Sequence, residues 1–312
     1  MRNRNIPPLK LLSTRALNVK EEDVCLIFCI RNEAFRLPFF LDYHRRLGVS
    51  IFFAVDNGST DHSQDYLLEQ TDVHLFYTEQ EYKASNAGRD WTSWIANQYC
   101  TERWVLTLDV DEFFIYPHIE KIPLKRLIEY LQYSGYEGVY SIFLDFYSDT
   151  LLSKTVYKEG QSPFDVCGYF DAPESYNCYE REIFPFFEIK GGPRKRVFWP
   201  DGDDTVGPSM RKLVLIKWRE GFAYTHSTHS CTPIKLADVT GVVAHFKLLS
   251  HFKNYAASEV KRNARIANSL DWKVYSNVLK ETDPVFYDSK VSIAYKDSQS
   301  LINAKTLRKS IS

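Results

Sequence analysis

Residues 104–114 read Trp-Val-Leu-Thr-Leu-Asp-Val-Asp-Glu-Phe-Phe, an apolar run that ends abruptly in three carboxylates. An apolar run bounded by charge is typical of a fully buried strand in a mainly parallel sheet. Ligands of such sheets bind in the crevice beyond the carboxyl ends of the strands. The pattern therefore places Asp109, Asp111 and Glu112 where a ligand would lie, provided that the strand ends there and the chain turns.

The paired aspartates have two interpretations. Adjacent carboxylates repel each other, and a hard divalent cation such as Mg²⁺ or Mn²⁺ relieves this repulsion while it bridges them to the phosphates of a substrate. The alternative is a solvated acidic turn after a strand, because an Asp-X-Asp pattern also recurs by chance.

Composition limits the class of protein. The 312 residues are 44% hydrophobic and 25% charged, as expected for a globular chain with one large domain or two small ones. A formal net charge of -1 argues against a nucleic-acid partner. The six cysteines include no Cys-X-X-Cys pair, so neither a zinc site nor a disulfide framework is indicated. With no apolar leader and no run of about eighteen apolar residues, we expect a cytoplasmic protein without a transmembrane segment. Peripheral association with the inner face of the membrane is compatible with this pattern.

Hydrophobic periodicity predicts strands that alternate with helices over the first ~115 residues, which indicates βαβ units and a parallel sheet. The predicted strands cover 24–30, 51–55, 73–77 and the run from Trp104, and the helices cover 37–47, 63–70 and 88–100. Further along, we predict helices over 123–133 and within 254–279, and strands over 138–146, 213–218 and 242–246. Residues 158–210 have little periodicity and are typical of a functional loop region. The last thirty or so residues are polar and are predicted to form a loosely attached tail.

Polar motifs follow three of these strands: Asn32-Glu33, Asp56-Asn57-Gly58-Ser59-Thr60-Asp61, and Asp109-Val110-Asp111-Glu112. Together they resemble the GT-A glycosyltransferases, in particular the family-2-like branch with a strand-Arg-Asn-Glu start and a Leu-Asp-X-Asp-Glu-Phe centre. Four further motifs of that branch follow in order: Leu144-Asp145-Phe146-Tyr147-Ser148, Gly191-Gly192-Pro193-Arg194-Lys195-Arg196, Ser227-Thr228-His229, and His245-Phe246-Lys247. The resemblance covers residues 22–265 or so.

This resemblance implies an α/β fold of the GT-A, Rossmann-like type, with a mainly parallel sheet, helices on both faces, an irregular acceptor-side region and C-terminal helices. It divides the chain into an N-terminal extension (1–21), the glycosyltransferase domain (22–265), and a C-terminal helix with a polar tail (266–312). The implied activity moves a sugar from a nucleotide-diphosphate sugar to a glycan, a lipid-linked glycan or another hydroxyl acceptor. It implies inversion, dependence on Mn²⁺ or Mg²⁺, and a place in surface polysaccharide synthesis.

The resemblance also assigns roles to individual residues. Donor-binding residues would be Asn32, Glu33, Asp56, Asp109, Arg194 and Arg196, with the carboxylates near the base, ribose and sugar and the arginines on the diphosphate. Lys247 is a weaker candidate for the diphosphate. Metal ligands would be Asp109, Asp111 and His245, and an imidazole ligand suits Mn²⁺ better than Mg²⁺. The alternatives are a core histidine at position 245 and a solvated basic turn at 194–196.

An inverting transfer needs a carboxylate that deprotonates the acceptor hydroxyl. Asp145 is the first candidate, because it follows the next predicted strand in a motif that the branch shares, and Glu180 and Glu182, in the loop before the Gly-Gly turn, are the alternatives. The chain departs from the family here, since the Glu-Asp pair common in family-2 enzymes is absent from this region. Two rival functions stay open. One is a protein that binds a nucleotide sugar or glycan without turnover, and the other is a phosphatase of the haloacid dehalogenase type, which also uses Asp-X-Asp at a strand end.

Overall fold

The computed structural model describes residues 7–225, 227–262 and 270–307. Its strands are β1 (Lys10–Leu11), β2 (Val24–Ile30), β3 (Ile51–Asp56), β4 (Val73–Tyr77), β5 (Trp104–Thr107), β6 (Glu112–Ile115), β7 (Gly138–Asp145), β8 (Tyr169–Asp171), β9 (Tyr176–Glu180), β10 (Phe187–Gly191), β11 (Arg211–Lys217), β12 (Gly241–His245) and β13 (Ser292–Ala294). Its helices are α1 (Leu37–Leu47), α2 (Ser63–Glu69), α3 (Arg89–Tyr99), α4 (Leu124–Tyr133), α5 (Pro163–Val166), α6 (Gly192–Phe198), α7 (Phe252–Arg262), α8 (Leu270–Glu281) and α9 (Ser298–Asn303).

Nine strands form the central sheet in the order β1-β4-β3-β2-β5-β11-β7-β12-β6. Strands β2, β3, β4, β5, β7 and β12 run in one direction, whereas β1, β11 and β6 each pair antiparallel with their neighbours. The mainly parallel α/β sheet predicted from the sequence is therefore confirmed.

Helices cover both faces of this sheet. In the register of β2 and β3, Phe28 lies beside Ala54, so Phe28 and Phe53 point to opposite faces. The ring of Phe28 packs 5.1 Å from that of Phe40 in α1, and the ring of Phe53 packs 5.7 Å from that of Tyr99 in α3. Helices α1 and α3 therefore lie on opposite faces, as predicted.

The run 104–114 contains two strands rather than one. Strand β5 ends at Thr107, and β6 begins at Glu112 on the far side of β11, β7 and β12. Between them the chain turns, and the Glu112 backbone N–H donates to the Asp109 carbonyl at 3.0 Å. The predicted end of the strand at the carboxylates is confirmed, while the second strand, which pairs with β12, was not predicted.

The prediction of a loosely attached tail is wrong for the part of the C-terminus that the structure describes. Strand β13 pairs with β8, and Leu301 of α9 is fully buried in the core. The ring of Tyr295 packs 5.2 Å from those of Phe146 and Phe164. A few apolar side chains thus anchor a segment whose average composition is polar.

Two other sequence predictions concern this end of the chain. The helical region predicted within 254–279 appears as α7 and α8, and residues 263–269 lie outside the described residues. The proposed domain boundary at 265 falls there too, so it stays a prediction. No helix within the described ranges is long and apolar enough to cross a membrane.

If the C-terminal segment is part of the core, Leu301→Ala should lower the free energy of unfolding by about 2–5 kcal/mol, because it leaves a cavity at a fully buried site. Leu270→Ala is the matched control, since the Leu270 side chain is 60% exposed and its loss should change stability by less than about 0.5 kcal/mol. Urea denaturation of both variants measures the difference. Equal stabilities would show that α9 is not anchored.

Candidate functional site

A cleft with a volume of about 590 Å³ opens where strands β2, β3, β5 and β12 end. Residues that follow these strands line one side of it, and residues of α7 line the other. The strand-end residues are Arg31, Asn32, Glu33, Asn57, Asp109, Val110, Asp111 and Lys247. The cleft thus occupies the crevice beyond the carboxyl ends of the strands, where α/β sheets commonly bind ligands.

Three carboxylates meet in the turn between β5 and β6. One oxygen each of Asp109, Asp111 and Glu112 can be chosen so that all three lie within 4.8 Å of one another. Asp109 is exposed, the Asp111 side chain is 14% exposed, and Glu112 is buried. The acidic cluster expected from the sequence is therefore present and is partly withdrawn from solvent.

Glu112 holds this turn in shape. Its carboxylate accepts a hydrogen bond from the Asp109 backbone N–H at 2.8 Å and another from the buried ammonium of Lys212. Burial alone would lower the pKa of Lys212, but the facing Glu112 carboxylate raises it above the usual value, so the ammonium remains charged. One oxygen of Glu112 accepts both of these hydrogen bonds, so Glu112 stabilises the turn from the side away from the cleft. Asp109 and Asp111 line the cleft.

His245 lies between two of the aspartates. Strand β12 runs between β7 and β6, and its register sets His245 beside Asp145 on one side and Glu112 on the other. The imidazole Nδ1 is 2.6 Å from the Asp145 carboxylate, and Nε2 is 3.5 Å from Asp111 Oδ2. Burial would raise the pKa of Asp111, but the protonated form of His245 and the Lys247 ammonium hold it well below its usual range.

Asp109 and Asp111 belong to a cluster of carboxylates that could hold a divalent cation, and His245 lies close enough to Asp111 to share such an ion with it. Ligand atoms of one octahedral ion with bonds of ~2.1 Å lie about 3 Å apart when adjacent and about 4 Å apart when opposite. The 3.5 Å from His245 Nε2 to Asp111 Oδ2 falls between these values, although it is long for a hydrogen bond. The Lys247 ammonium, 4.0 Å from the same oxygen, adds further positive charge.

Among the predicted donor-binding residues, Asn32 and Glu33 line the cleft and Asp56 does not. The Glu33 carboxylate accepts from the Arg36 guanidinium at 2.6 Å. Asp56 is fully buried and accepts from the Ser59 N–H at 2.9 Å and the Ser59 hydroxyl at 2.6 Å. Its position favours a role in shaping the loop after β3.

The two arginines expected on the diphosphate also lie away from the cleft. Gly192 to Phe198 form helix α6, not a solvated turn. From that helix the Arg194 guanidinium donates to Asp145 at 2.6 Å, and Arg196 pairs with buried Asp171 at 3.0 Å. Both arginines thus neutralise buried carboxylates, and their predicted contact with a diphosphate is not favoured by these positions.

None of the three candidate bases lines the cleft. Asp145 is fully buried, and its two oxygens are engaged by Arg194 and His245. Glu180 and Glu182 are exposed, on the hairpin of β9 and β10 or its connection. A role as base stays a prediction for each of them, while the geometry of Asp145 favours support of His245.

Sequence reasoning missed Arg36 and His251, which lie between Glu33 and α7 in the cleft lining. The Arg36 guanidinium bridges the Glu33 carboxylate and the ring of His251, whose Nε2 is 2.5 Å away. Burial and the adjacent Arg36 lower the pKa of His251 to about 3, so its ring is neutral. Arg36 directly precedes the predicted helix, where a charged residue carries no distinctive signal, and His251 belongs to no recognised motif.

No protein-family model matches the sequence, and no curated protein matches it significantly. Solved structures similar to the chain include HddC from Yersinia pseudotuberculosis, with 10% identity, a TM-score of 0.30, and coverage of 62% of this chain and 73% of that one. A UDP-glucose pyrophosphorylase complexed with UDP-glucose has 12% identity, a TM-score of 0.28, and coverage of 90% and 96%. At TM-scores this low, neither similarity bears on the function of this chain.

The buried pair of Lys212 and Glu112 makes the turn sensitive to the loss of one charge. Lys212→Met should lower the free energy of unfolding by about 3–5 kcal/mol, because Glu112 is left as an unpaired buried carboxylate. Lys217→Met, on the same strand, is the control: Lys217 forms an exposed pair with Glu102 at 3.5 Å, and its loss should cost less than about 1 kcal/mol. Chemical denaturation compares the two, and equal effects would contradict the role of Lys212.

Proposed function

We propose that the chain is a divalent-metal-dependent glycosyltransferase of the GT-A type that uses a nucleotide-diphosphate sugar as donor. The observation that carries this proposal is the meeting of Asp109 and Asp111 at the edge of the cleft, with the ring of His245 behind them, 3.5 Å from Asp111. Two aspartates from one strand end and a histidine from another form the donor set expected for Mn²⁺ or Mg²⁺. The order of motifs along the sequence supports the same assignment.

In this proposal Asp109, Asp111 and His245 hold the cation. A divalent ion bound there supplies positive charge that stabilises the charge developing on the leaving diphosphate. Asp111 is well suited to this task, because its carboxylate lines the cleft and carboxylate oxygens are ligands that such cations prefer.

In this proposal, cations that line the cleft bind the donor's diphosphate in place of Arg194 and Arg196. Arg31 and Arg262 flank Asn57: the Arg31 guanidinium donates to the Asn57 carbonyl, and that of Arg262 to the Asn57 side chain, each at 2.9 Å. Lys247 lies next to Asp111. We assign these three cations to the diphosphate, and Asn32 and Glu33 to the base and ribose, by analogy with their places at the strand ends.

The acceptor is a hydroxyl of a glycan or of a lipid-linked glycan, as the resemblance implies. Its deprotonation requires a group that reaches the cleft. We also propose a role in surface polysaccharide synthesis. Such a role, at the cytoplasmic side of a membrane, is consistent with a nucleotide-sugar donor.

Donor binding should depend on Asp111. With Mn²⁺ present, the right sugar nucleotide from a panel of UDP-, GDP- and CMP-sugars should raise the melting temperature. At about 100 times Kd, binding stabilises by ~2.7 kcal/mol. Asp111→Asn should abolish this shift while leaving the unliganded melting temperature within a few degrees, because Asp111 lies at the edge of the cleft.

Asp165→Asn is the matched control, since Asp165 is exposed in α5 and lies outside the cleft, so its donor-induced shift should stay intact. A normal shift in Asp111→Asn would refute the metal assignment. Donor binding without any transfer or hydrolysis would favour a binding protein, and phosphate release from p-nitrophenyl phosphate that ignores sugar nucleotides would favour a phosphatase.

The stereochemistry of the product tests the mechanism separately. Single displacement inverts the anomeric configuration and forms no covalent glycosyl-enzyme. Proton NMR of freshly formed product should therefore show an anomeric configuration opposite to that of the donor. Retained configuration, or a trapped glycosyl-enzyme in mass spectra, would contradict the inverting mechanism.

A further inference from the structure

Asp145, Arg194 and His245 belong to three separate sequence motifs, yet they form one chain of hydrogen bonds behind the cleft. We propose that Asp145 is a positioning residue which fixes the His245 tautomer with its proton on Nδ1 and its lone pair on Nε2, and that Arg194 orients Asp145. The inference rests on the proposed metal site. It also replaces the role of Asp145 as the acceptor's base.

The donor and acceptor atoms dictate the tautomer. An ionised carboxylate only accepts hydrogen bonds, so the imidazole Nδ1 that lies 2.6 Å from Asp145 Oδ1 must carry a proton. In the neutral ring, Nε2 then presents its lone pair toward Asp111, 3.5 Å away. Two acceptors that face each other at this distance are stable with a cation between them. A carboxylate that orients a metal-binding histidine in this way is a common feature of metal sites.

Arg194 binds the second oxygen of the Asp145 carboxylate. Its Nε donates to Asp145 Oδ2 at 2.6 Å, and a second guanidinium nitrogen lies 3.4 Å from the hydroxyl of Tyr275 in α8. Because an arginine side chain has donors and no acceptor, the Asp145 atom that faces it must accept. One oxygen is thus reserved for Arg194, and only the other is left for His245.

The glycines before Arg194 allow this approach. Gly191 and Gly192 have φ values of 129° and 75°, which favour glycine, and a Cβ at Gly191 would overlap the Ser175 carbonyl oxygen. A Cβ at Gly192 would lie 2.7 Å from the ring of Tyr176. The Gly-Gly-Pro-Arg motif therefore lets α6 start close to the preceding residues and direct Arg194 inward.

The Asp145→Asn variant tests this inference, because it should change the His245 tautomer and weaken Mn²⁺ binding. Arg194 needs an acceptor, so the new amide should keep its oxygen on that side and turn its NH₂ toward His245. An NH₂ facing Nδ1 forces the imidazole proton onto Nε2, the change of tautomer known for the same substitution in catalytic triads. Affinity for Mn²⁺ alone, measured by calorimetry, should fall about 10- to 100-fold.

The tautomer can be read directly by long-range ¹H–¹⁵N NMR on protein labelled at histidine, without metal or substrate, at a pH above that at which the ring of His245 loses its second proton, so that only one ring nitrogen carries a proton. His245→Gln identifies the His245 signals among those of the eight histidines. The wild type should carry its proton on Nδ1, and Asp145→Asn should carry it on Nε2. Because this measurement needs no cation, it separates the inference from the proposed function: absent Mn²⁺ binding by the wild type would refute the latter alone.

Asp171→Asn is the matched control. Asp171 is also fully buried and pairs with an arginine of α6, Arg196 at 3.0 Å, but its carboxylate bonds to Tyr147 in place of a histidine. This variant should lose stability yet keep the His245 tautomer and the Mn²⁺ affinity. Should it weaken Mn²⁺ binding as much as Asp145→Asn, the effect would be one of general destabilisation, and the inference would fail.

Two further results would overturn the assignment. A wild-type His245 with its proton on Nε2 would exclude the proposed orientation, whatever the variants do. If the Asp145→Asn variant has a Mn²⁺ affinity within twofold of the wild type but no glycosyl-transfer activity, Asp145 is the catalytic base and the inference is wrong. If Asp145→Asn does not fold, Arg194→Lys, which keeps the charge but lacks the rigid guanidinium fork, should weaken Mn²⁺ binding by a smaller factor.

Discussion

The geometry of the site depends on the turn at residues 108–111. The chain leaves β5 near the middle of the sheet and enters β6 at its edge, so β11, β7 and β12, which come later in the sequence, fill the gap. Strand β12 lies directly beside β6, and its last residue is His245. The turn therefore carries Asp109 and Asp111 along the carboxyl ends of the strands to the end of β12. The proximity of Asp111 and His245 follows from this crossing of the sheet.

Such a concentration of carboxylates can be buried only if each receives a counter-charge, because an unpaired buried charge costs several kcal/mol. Three carboxylates at or behind the cleft that are withdrawn from solvent form close ion pairs. The pairs are Glu33 with Arg36, Glu112 with Lys212, and Asp145 with Arg194. Asp111 lies 3.5 Å from His245 and 4.0 Å from Lys247, and Asp109 is exposed. Asp111 is thus farther from its nearest Lys or Arg partner than the three paired carboxylates are from theirs.

Local pattern was enough to predict the first half of the fold. The predicted bounds of β2, α1 and β4 agree with the structure, because each segment has its own hydrophobic period and an end signal such as Gly48, whose φ is 116°. The structure brings Asp109 and Asp111 together and places His245 beside Asp111, since strand ends of one sheet share an edge, while their role as metal ligands stays a prediction.

The parts of the fold and of the site that were not predicted depend on contacts between residues that are distant in sequence. Arg194 follows two glycines and a proline, a composition typical of an exposed turn, yet its partner Asp145 lies 49 residues earlier. Local composition carries no information about such a partner. The same holds for the C-terminal segment, where Leu301 is buried within a mostly polar stretch. Burial of a charge or of a short apolar segment is decided by tertiary packing, which periodicity does not report.

Register explains why these distant residues share one network. Asp145, His245 and Glu112 are cross-strand neighbours on β7, β12 and β6, so all three side chains point to the same face of the sheet. Lys212 reaches that face through a β-bulge in β11 at Val214, before which Lys212 pairs with Ser141 and after which Leu215 pairs with Val139. Ser141 and Val139 lie on the same face as Asp145, although residues 212 and 215 differ by an odd number. If β11 kept the pairing of Leu215 with Val139 but had no bulge, Lys212 would pair with Ile142 and point to the opposite face, because a shift of one residue exchanges the two faces. Glu112 would then lack its counter-charge. The bulge is therefore part of the site, since it directs the buried cation to the turn that holds Asp109 and Asp111.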